Sequence, residues 1–363
     1  MSIYLSTIRP LLFRLDAEHA HRLAIRAGAV ARLAAPALRR RYAVNAPILT
    51  TRVAGLSFPS PLGLSAGFDK SGEAIEVLAA LGFGFIEIGS VSADPSTGNP
   101  KPRLFRLPDD RAIVVAYGVP NDGADRIAAR LAGVKLPMPL GINIVKTNRG
   151  AGSPPESSDA IIAEYMRAAR VLAPRADYLM FNLSCPNTED GSDFFADHGR
   201  LKAWLAALAE TKPTTPIFLK VSPLGGVTAI ESLLQAAEPH RFISGFMFNL
   251  PSIKPELRTP QTVWRTMPGA VSGPPCAPLL DEALRECYRR LDKDRYALFA
   301  SGGVSNAEDA YAKIRTGASL VGMLTALIYE GPSVVHRINT GLAQLLARDG
   351  FTSVAEAVGV DNR

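Results

Sequence analysis

A chain of 363 residues that is 47% hydrophobic and 20% charged has ordinary globular composition and enough length for a large core. That excludes disorder and favours one large domain with an appendage. Forty basic against 34 acidic residues leave a net charge of +6, scattered rather than blocked, which argues against a nucleic-acid stripe and mildly favours anionic ligands or a membrane surface.

Cys185, Cys276 and Cys287 lack C-x-x-C spacing, so neither a disulfide framework nor a metal site is expected, and a reducing compartment is. No apolar run reaches the roughly 18 residues of a membrane span, and the start lacks the pattern of an export signal, so neither a spanning nor an exported chain is expected.

The first 42 residues predict a helical pair. IYLSTIRPLLFRL has an apolar flank at Leu11, Leu12, Phe13 and Leu15, and a second helix begins after Asp16, a predicted N-cap. Ala20, Leu23, Ala24, Ala27, Val30 and Leu33 recur along one side of it, with arginines flanking. A basic amphipathic pair either lies in a membrane interface or caps the barrel that follows.

From residue 61 onward eight short apolar runs recur: 61–66, 83–90, 140–145, 178–183, 217–222, 245–250, 297–303 and 320–325. Helical periodicity fills most of the gaps, as in SDAIIAEYMRAARVLA and NAEDAYAKIRTG. Eight buried strands alternating with helices predict an α/β fold, a (β/α)8 TIM barrel over 43–363; a doubly wound open sheet is the alternative. The segments Asp94–Val134 and Pro251–Pro278 are excursions beside the mouth, with no internal structure assigned.

In such a barrel chemistry sits at the C-terminal ends of the strands. Those ends carry Asp69 and Lys70, Ser90, Asn143 and Lys146, Asn182 to Asn187, Lys220, Asn249, Gly302 and Gly303, and Thr325. ASGGVSNAEDA (300–310) runs from a strand through two glycines into a helix start marked by Ser305 and Asn306, and Thr325 adds a hydroxyl after the next strand. That is the usual phosphate grip of these barrels. Lys220 is a mouth cation suited to negative charge on a reduced flavin ring, or else a structural ion-pair partner. Cys185, between Ser184 and Pro186, is either a small buried hydrophobe or a proton acceptor beside a polar planar substrate. Nucleophilic chemistry needs a histidine partner, and only His198 is near in sequence, so the base reading is favoured.

These residues resemble the dihydroorotate dehydrogenases, specifically their membrane-associated, quinone-linked branch. The resemblance runs over nearly the whole chain: LDAEHAHRLA, SPLGLSAGFDKSGE, GFGFIEIGSVSADPSTGNPKPRLFRL, GINI, NLSCPNT, LKVSP, SGPP, ASGGVSNAEDAYAKIRTGASLV and YEGP. It implies an FMN-binding barrel in which a base takes a proton from dihydroorotate while hydride passes to the flavin, with quinone entering between the N-terminal helices. By position it implies Ala66, Gly67, Lys70, Ser90, Asn143, Asn182, Lys220, Gly273, Gly302 and Thr325 around FMN. Lys70, Asn182, Asn187 and Asn249 would meet the substrate, Cys185 would be the base, and His21 and Arg106 would line the quinone path. It also implies a peripheral place on the cytoplasmic side of a bacterial inner membrane or its equivalent.

The chain departs from that pattern in specific ways. The quinone-linked branch normally carries serine at the position of Cys185. In AIVVAYGVPNDG (112–123), Val115 stands where the family has a substrate asparagine, Ala116 for arginine, Val119 for phenylalanine and Pro120 for asparagine. Leu250 replaces a threonine and Leu324 a tyrosine. The alternatives these changes open are a flavoenzyme acting on a different, more apolar cyclic or unsaturated substrate, or a catalytically silent flavin or lipid binder.

Overall fold

The computed structural model describes residues 3–150, 152–185 and 194–362. Each of the eight predicted runs is a strand: β1 (Leu62–Leu64), β2 (Phe85–Val91), β3 (Leu140–Ile144), β4 (Tyr178–Asn182), β5 (Ile217–Val221), β6 (Ile243–Phe248), β7 (Ala297–Ala300) and β8 (Leu320–Met323). Every strand pairs in parallel with the next, and β8 returns to β1, so the sheet closes and the open-sheet alternative falls.

Side chains alternate along a strand with a period of two, and this carries the interior from an apolar floor to a polar mouth. Phe85, Tyr178, Met180, Phe218, Met247, Phe299 and Leu320 fill the lower interior as one buried cluster. Two residues further along the same strands stand Glu87, Asn182, Lys220 and Asn249. The hairpin Thr51–Val53/Leu56–Phe58 inserts Val53 and Phe58 into that cluster from below. The fully buried Phe58 ring meets Phe85 edge-on at 5.9 Å, a burial worth roughly 1.5–3 kcal/mol. The floor is therefore closed by this hairpin.

The outer helices follow their caps. Ser157, Asp197 and Asn306 side chains accept from Ala160, Arg200 and Asp309 N–H groups to open Ser158–Leu172, His198–Glu210 and Ala307–Thr316. The two excursions left without structure in the sequence pair with each other. Leu104–Leu107, Ala112–Val115 and Ala270–Ser272 form an antiparallel sheet over the mouth. The Asp110 carboxylate ties the two together by accepting from the Arg258 and Thr259 backbone N–H groups at 2.6 and 3.0 Å.

At the N-terminus Asp16 caps helix Ala17–Val30 as expected, accepting from His19 N–H at 2.9 Å. The face that packs on the barrel carries Glu18, Ala20, His21, Ile25 and Gly28, the last so close that an added Cβ would lie 3.0 Å from Ala74 Cβ. Most of the apolar stripe read from the sequence points the other way: Leu23, Val30 and Leu33 are 48%, 84% and 89% exposed. No helix among the described residues is long and apolar enough to cross a membrane.

Candidate active site

The strand ends build a connected polar network. Glu87, 1% exposed, accepts from Asn143 Nδ2 at 3.1 Å and from the Tyr178 hydroxyl at 3.3 Å. Ser90 Oγ donates to Asn143 Oδ1 at 2.5 Å, and Asn182 Nδ2 reaches Ser90 Oγ at 3.4 Å. Asn249 Nδ2 then donates to Asn182 Oδ1 at 2.9 Å and to the Ser184 carbonyl at 3.0 Å. Lys220 lies in register beside Asn182 and is buried. Burial lowers its pKa, opposed by the charges of Glu87 and Cys185; burial likewise raises that of Glu87, opposed first by Lys220. A buried carboxylate inside the barrel thus compensates the mouth cation.

Above this network lies a cavity of about 340 Å³ that runs without interruption from the strand ends to the N-terminal helices. Ala66, Gly67, Lys70, Ser90, Asn182, Cys185, Lys220, Asn249, Gly273, Gly302 and Thr325 line it, and so do His21 and Arg106. Asn143 does not reach the wall; it is fully buried behind Ser90 and orients it. Asn187 lies outside the described residues.

A flavin mononucleotide fits what these residues offer. Gly302 and Gly303 take φ of 82° and 77°, and a Cβ on either would strike Leu280 Cδ1 at 2.4 Å or Ala277 Cβ at 2.6 Å. Bare backbone thus faces the cavity beside the Ser272–Thr325 hydroxyl pair, 2.9 Å apart, as phosphate oxygens require. Ser65 Oγ on the same wall is buried without a partner among the described residues, an orphan that a polar ring edge would satisfy.

Lys70 is half-buried on the cavity wall. Its ammonium donates to the Gly67 carbonyl at 2.8 Å and sits 3.7 Å over the Tyr117 ring, and burial pulls its pKa down to about 8 against the charges of Asp69 and Glu18. The Asp69 carboxylate is turned instead to the Glu73 and Ala74 N–H groups. His21 packs edge-on to Phe68 at 5.1 Å, and burial, helped by the Lys70 charge, drives its pKa down to about 3, so it is neutral at physiological pH. Arg106 stacks 4.6 Å over Phe13 and donates to the Leu12 and Leu15 carbonyls. It closes the end of the first helix as well as lining the cavity.

Cys185 is buried against Val119 and Val145. His198, the histidine nearest in sequence, has Nδ1 on Ser232 Oγ at 2.7 Å.

Four contributors escaped the sequence reading. Glu87 was legible as a lone acid inside the apolar run FGFIEIGS. Tyr117, whose buried hydroxyl has no partner among the described residues, sits under Lys70. Glu18 and Arg103 form a two-point buried ion pair at 3.1 and 2.9 Å that pins the N-terminal helix; nothing in the sequence marks them as partners.

Comparison with known proteins agrees over nearly the whole chain. A family model described as dihydroorotate dehydrogenase matches residues 48–346. The chain is 39% identical over 357 residues to a dihydroorotate dehydrogenase (quinone) of Sphingopyxis alaskensis, covering 97% of this chain and 95% of that protein. With the protein of the same name from Mycobacterium tuberculosis the identity is 39% over 361 residues, with 98% of both covered. The ligand-free crystal structure of the Eimeria tenella enzyme superposes with a TM-score of 0.83 at 29% identity, over 96% of this chain and 100% of that one. The chain belongs to the dihydroorotate dehydrogenase family, alongside its quinone-dependent members, and is an oxidoreductase.

Proposed function

We propose that this enzyme oxidises dihydroorotate to orotate with FMN as resident cofactor and a quinone as electron acceptor. The observation that carries this reading is the single cavity joining Lys220 and Cys185 at the strand ends to the apolar N-terminal helices. Bound FMN would supply two-electron chemistry, accepting hydride from the substrate and later giving its electrons to quinone.

The chain's own groups do the rest. Gly273, Gly302, Gly303 and Thr325 would hold the phosphate, and Ala66, Gly67 and Ser90 would border the ring. Lys220, whose charged form the nearby Glu87 favours against burial, would stabilise negative charge on the reduced ring. Lys70 has no carboxylate in ion-pair contact among the described residues and would take the substrate carboxylate. Asn182 would orient the ring, with Asn187 and Asn249 assigned by position. Cys185, screened from water by Val119 and Val145, would take the proton.

Residues 1–42 would form the quinone-facing unit and 43–363 the flavin barrel. Ile3, Ile8, Leu11, Leu15, Leu23, Val30 and Leu33 are exposed on that first unit, with Arg22, Arg26, Arg32 and Arg39 to Arg41 exposed among them. That supports peripheral seating on an anionic membrane, on the cytoplasmic side. The test is turnover of dihydroorotate with a short-chain quinone in the presence of anionic vesicles. Orotate formed in step with quinone reduction, by vesicle-bound enzyme, supports the proposal; orotate formation that ignores quinone refutes the electron path.

A further inference from the structure

Polar side chains from β2, β3, β4 and the turn after β6 share one hydrogen-bond chain that runs in a single direction. Asn249 Nδ2 donates to Asn182 Oδ1, Asn182 Nδ2 to Ser90 Oγ, Ser90 Oγ to Asn143 Oδ1, and Asn143 Nδ2 to Glu87 Oε1. Every donor along it points toward Glu87. The two ends hold that direction. At the outer one the Leu250 N–H, which can only donate, occupies Asn249 Oδ1 at 2.9 Å. At the inner one stands a carboxyl group, and the donors that face it favour its ionised, acceptor-only form.

Glu87 lies beneath the cavity wall that Ser90, Asn182 and Asn249 line. Besides Asn143 it takes the Tyr178 hydroxyl at 3.3 Å and the Ala66 N–H. It thus holds two groups that border the cavity, Ala66 directly and Ser90 through Asn143. A carboxylate has acceptor sites enough for these donors. A glutamine of the same shape offers one oxygen and brings N–H donors of its own, so a donor would be left facing a donor in a buried place, where an unmade hydrogen bond is costly. The chain cannot escape by turning round, because the Leu250 N–H holds its far end.

Resting on the flavin-linked oxidation of dihydroorotate proposed above, we propose that Glu87 is a positioning residue for the substrate pocket. Its buried carboxylate terminates the chain and so fixes which edges of Ser90, Asn182 and Asn249 the pocket presents. It acts through Asn143 and the Ala66 backbone.

A swap of the two side chains tests this. Glu87→Gln combined with Asn143→Asp moves the carboxylate one link along the chain while keeping both side-chain shapes and the net charge. The glutamine amide then donates to the new carboxylate, which still accepts from Ser90 Oγ, and the glutamine oxygen remains for Tyr178 and Ala66. The direction of every other link is preserved.

The probe is orotate, titrated into the oxidised holoenzyme and read by the flavin absorbance shift, with flavin content measured on each protein. Glu87→Gln and Asn143→Asp, each alone, should weaken orotate about tenfold or more, the first by setting donor against donor and the second by setting two carboxylates side by side. The swap should return orotate affinity to within about threefold of wild type and restore flavin content. Orotate affinity unaltered in Glu87→Gln, or a swap that recovers neither flavin content nor orotate binding, would overturn the proposal and leave the proposed reaction standing. A wild-type holoenzyme whose spectrum orotate leaves unmoved, and whose flavin dihydroorotate leaves oxidised, would overturn both.

Discussion

Replacing Glu18 by glutamine separates the two halves of the catalytic cycle. In the native protein Glu18 and Arg103 are 9% and 8% exposed at the side chain and 2.9 Å apart, with Lys101 at 3.4 Å. Glutamine keeps the shape and one acceptor but removes the charge and turns an amide N–H toward the guanidinium. Breaking a buried pair by removing one partner costs about 3–5 kcal/mol. Arg103 also donates to the Thr97 and Asn99 carbonyls at 2.6 and 2.8 Å, so about 2–3 kcal/mol is expected here. That loss falls on the docking of helix Ala17–Val30, whose buried apolar contacts are few. Flavin reduction should stay within about twofold of wild type, while the KM for quinone rises about tenfold or more and Arg22 and Arg26 become trypsin-sensitive. Burial would raise the Glu18 pKa, but hydrogen bonds and charge from Arg103, with Lys101, outweigh it and leave the group below its ordinary value. The stabilisation is therefore present above the ordinary glutamate range and lost as pH falls through the lower folded value. Wild type should lose quinone activity there, and the glutamine variant should show no such step. Unaltered quinone kinetics and protease resistance in Glu18→Gln would refute the helix-docking role.

Three further outcomes follow from the same geometry. Cys185→Ser should retain FMN but move the pH profile of flavin reduction upward, because a hydroxyl is intrinsically harder to deprotonate than a thiol; an unmoved profile removes Cys185 from the base role. Gly303→Ala, at φ 77° with its Cβ 2.6 Å from Ala277 Cβ, should weaken flavin retention about tenfold or more, measured by flavin release. His21, held down to about 3, should give no titration step in quinone reduction between about pH 5 and 8. An unfolded histidine protonates near 6.5, so its contribution to stability is full above that pH and declines as pH falls toward 3. The wild-type Tm should drop over that range more than that of His21→Phe.

The strands were legible because burial on both faces leaves a continuous apolar run, and the mouth residues because a polar group ending such a run can only face the barrel top or solvent. Lys220, Asn182, Cys185 and Asn249 were found that way. Glu87 was passed over because one acid does not disturb the apolar run around it, and only the closed barrel shows it facing Lys220. The roof sheet was invisible because Ala112–Val115 pairs with Ala270–Ser272 from the far side of the barrel sequence, a contact with no local signature. The N-terminal helix offered two faces, and its larger apolar residues mark the outer one. Small residues and a buried ion pair, Ala20, Gly28 and Glu18 with Arg103, hold the inner one.

The most direct test of the central claim is anaerobic addition of dihydroorotate to the purified yellow holoprotein, following flavin absorbance and orotate together. Bleaching is expected with one orotate formed per flavin, and colour restored on adding quinone. A flavin that stays oxidised with dihydroorotate, yet bleaches with dithionite, would contradict it.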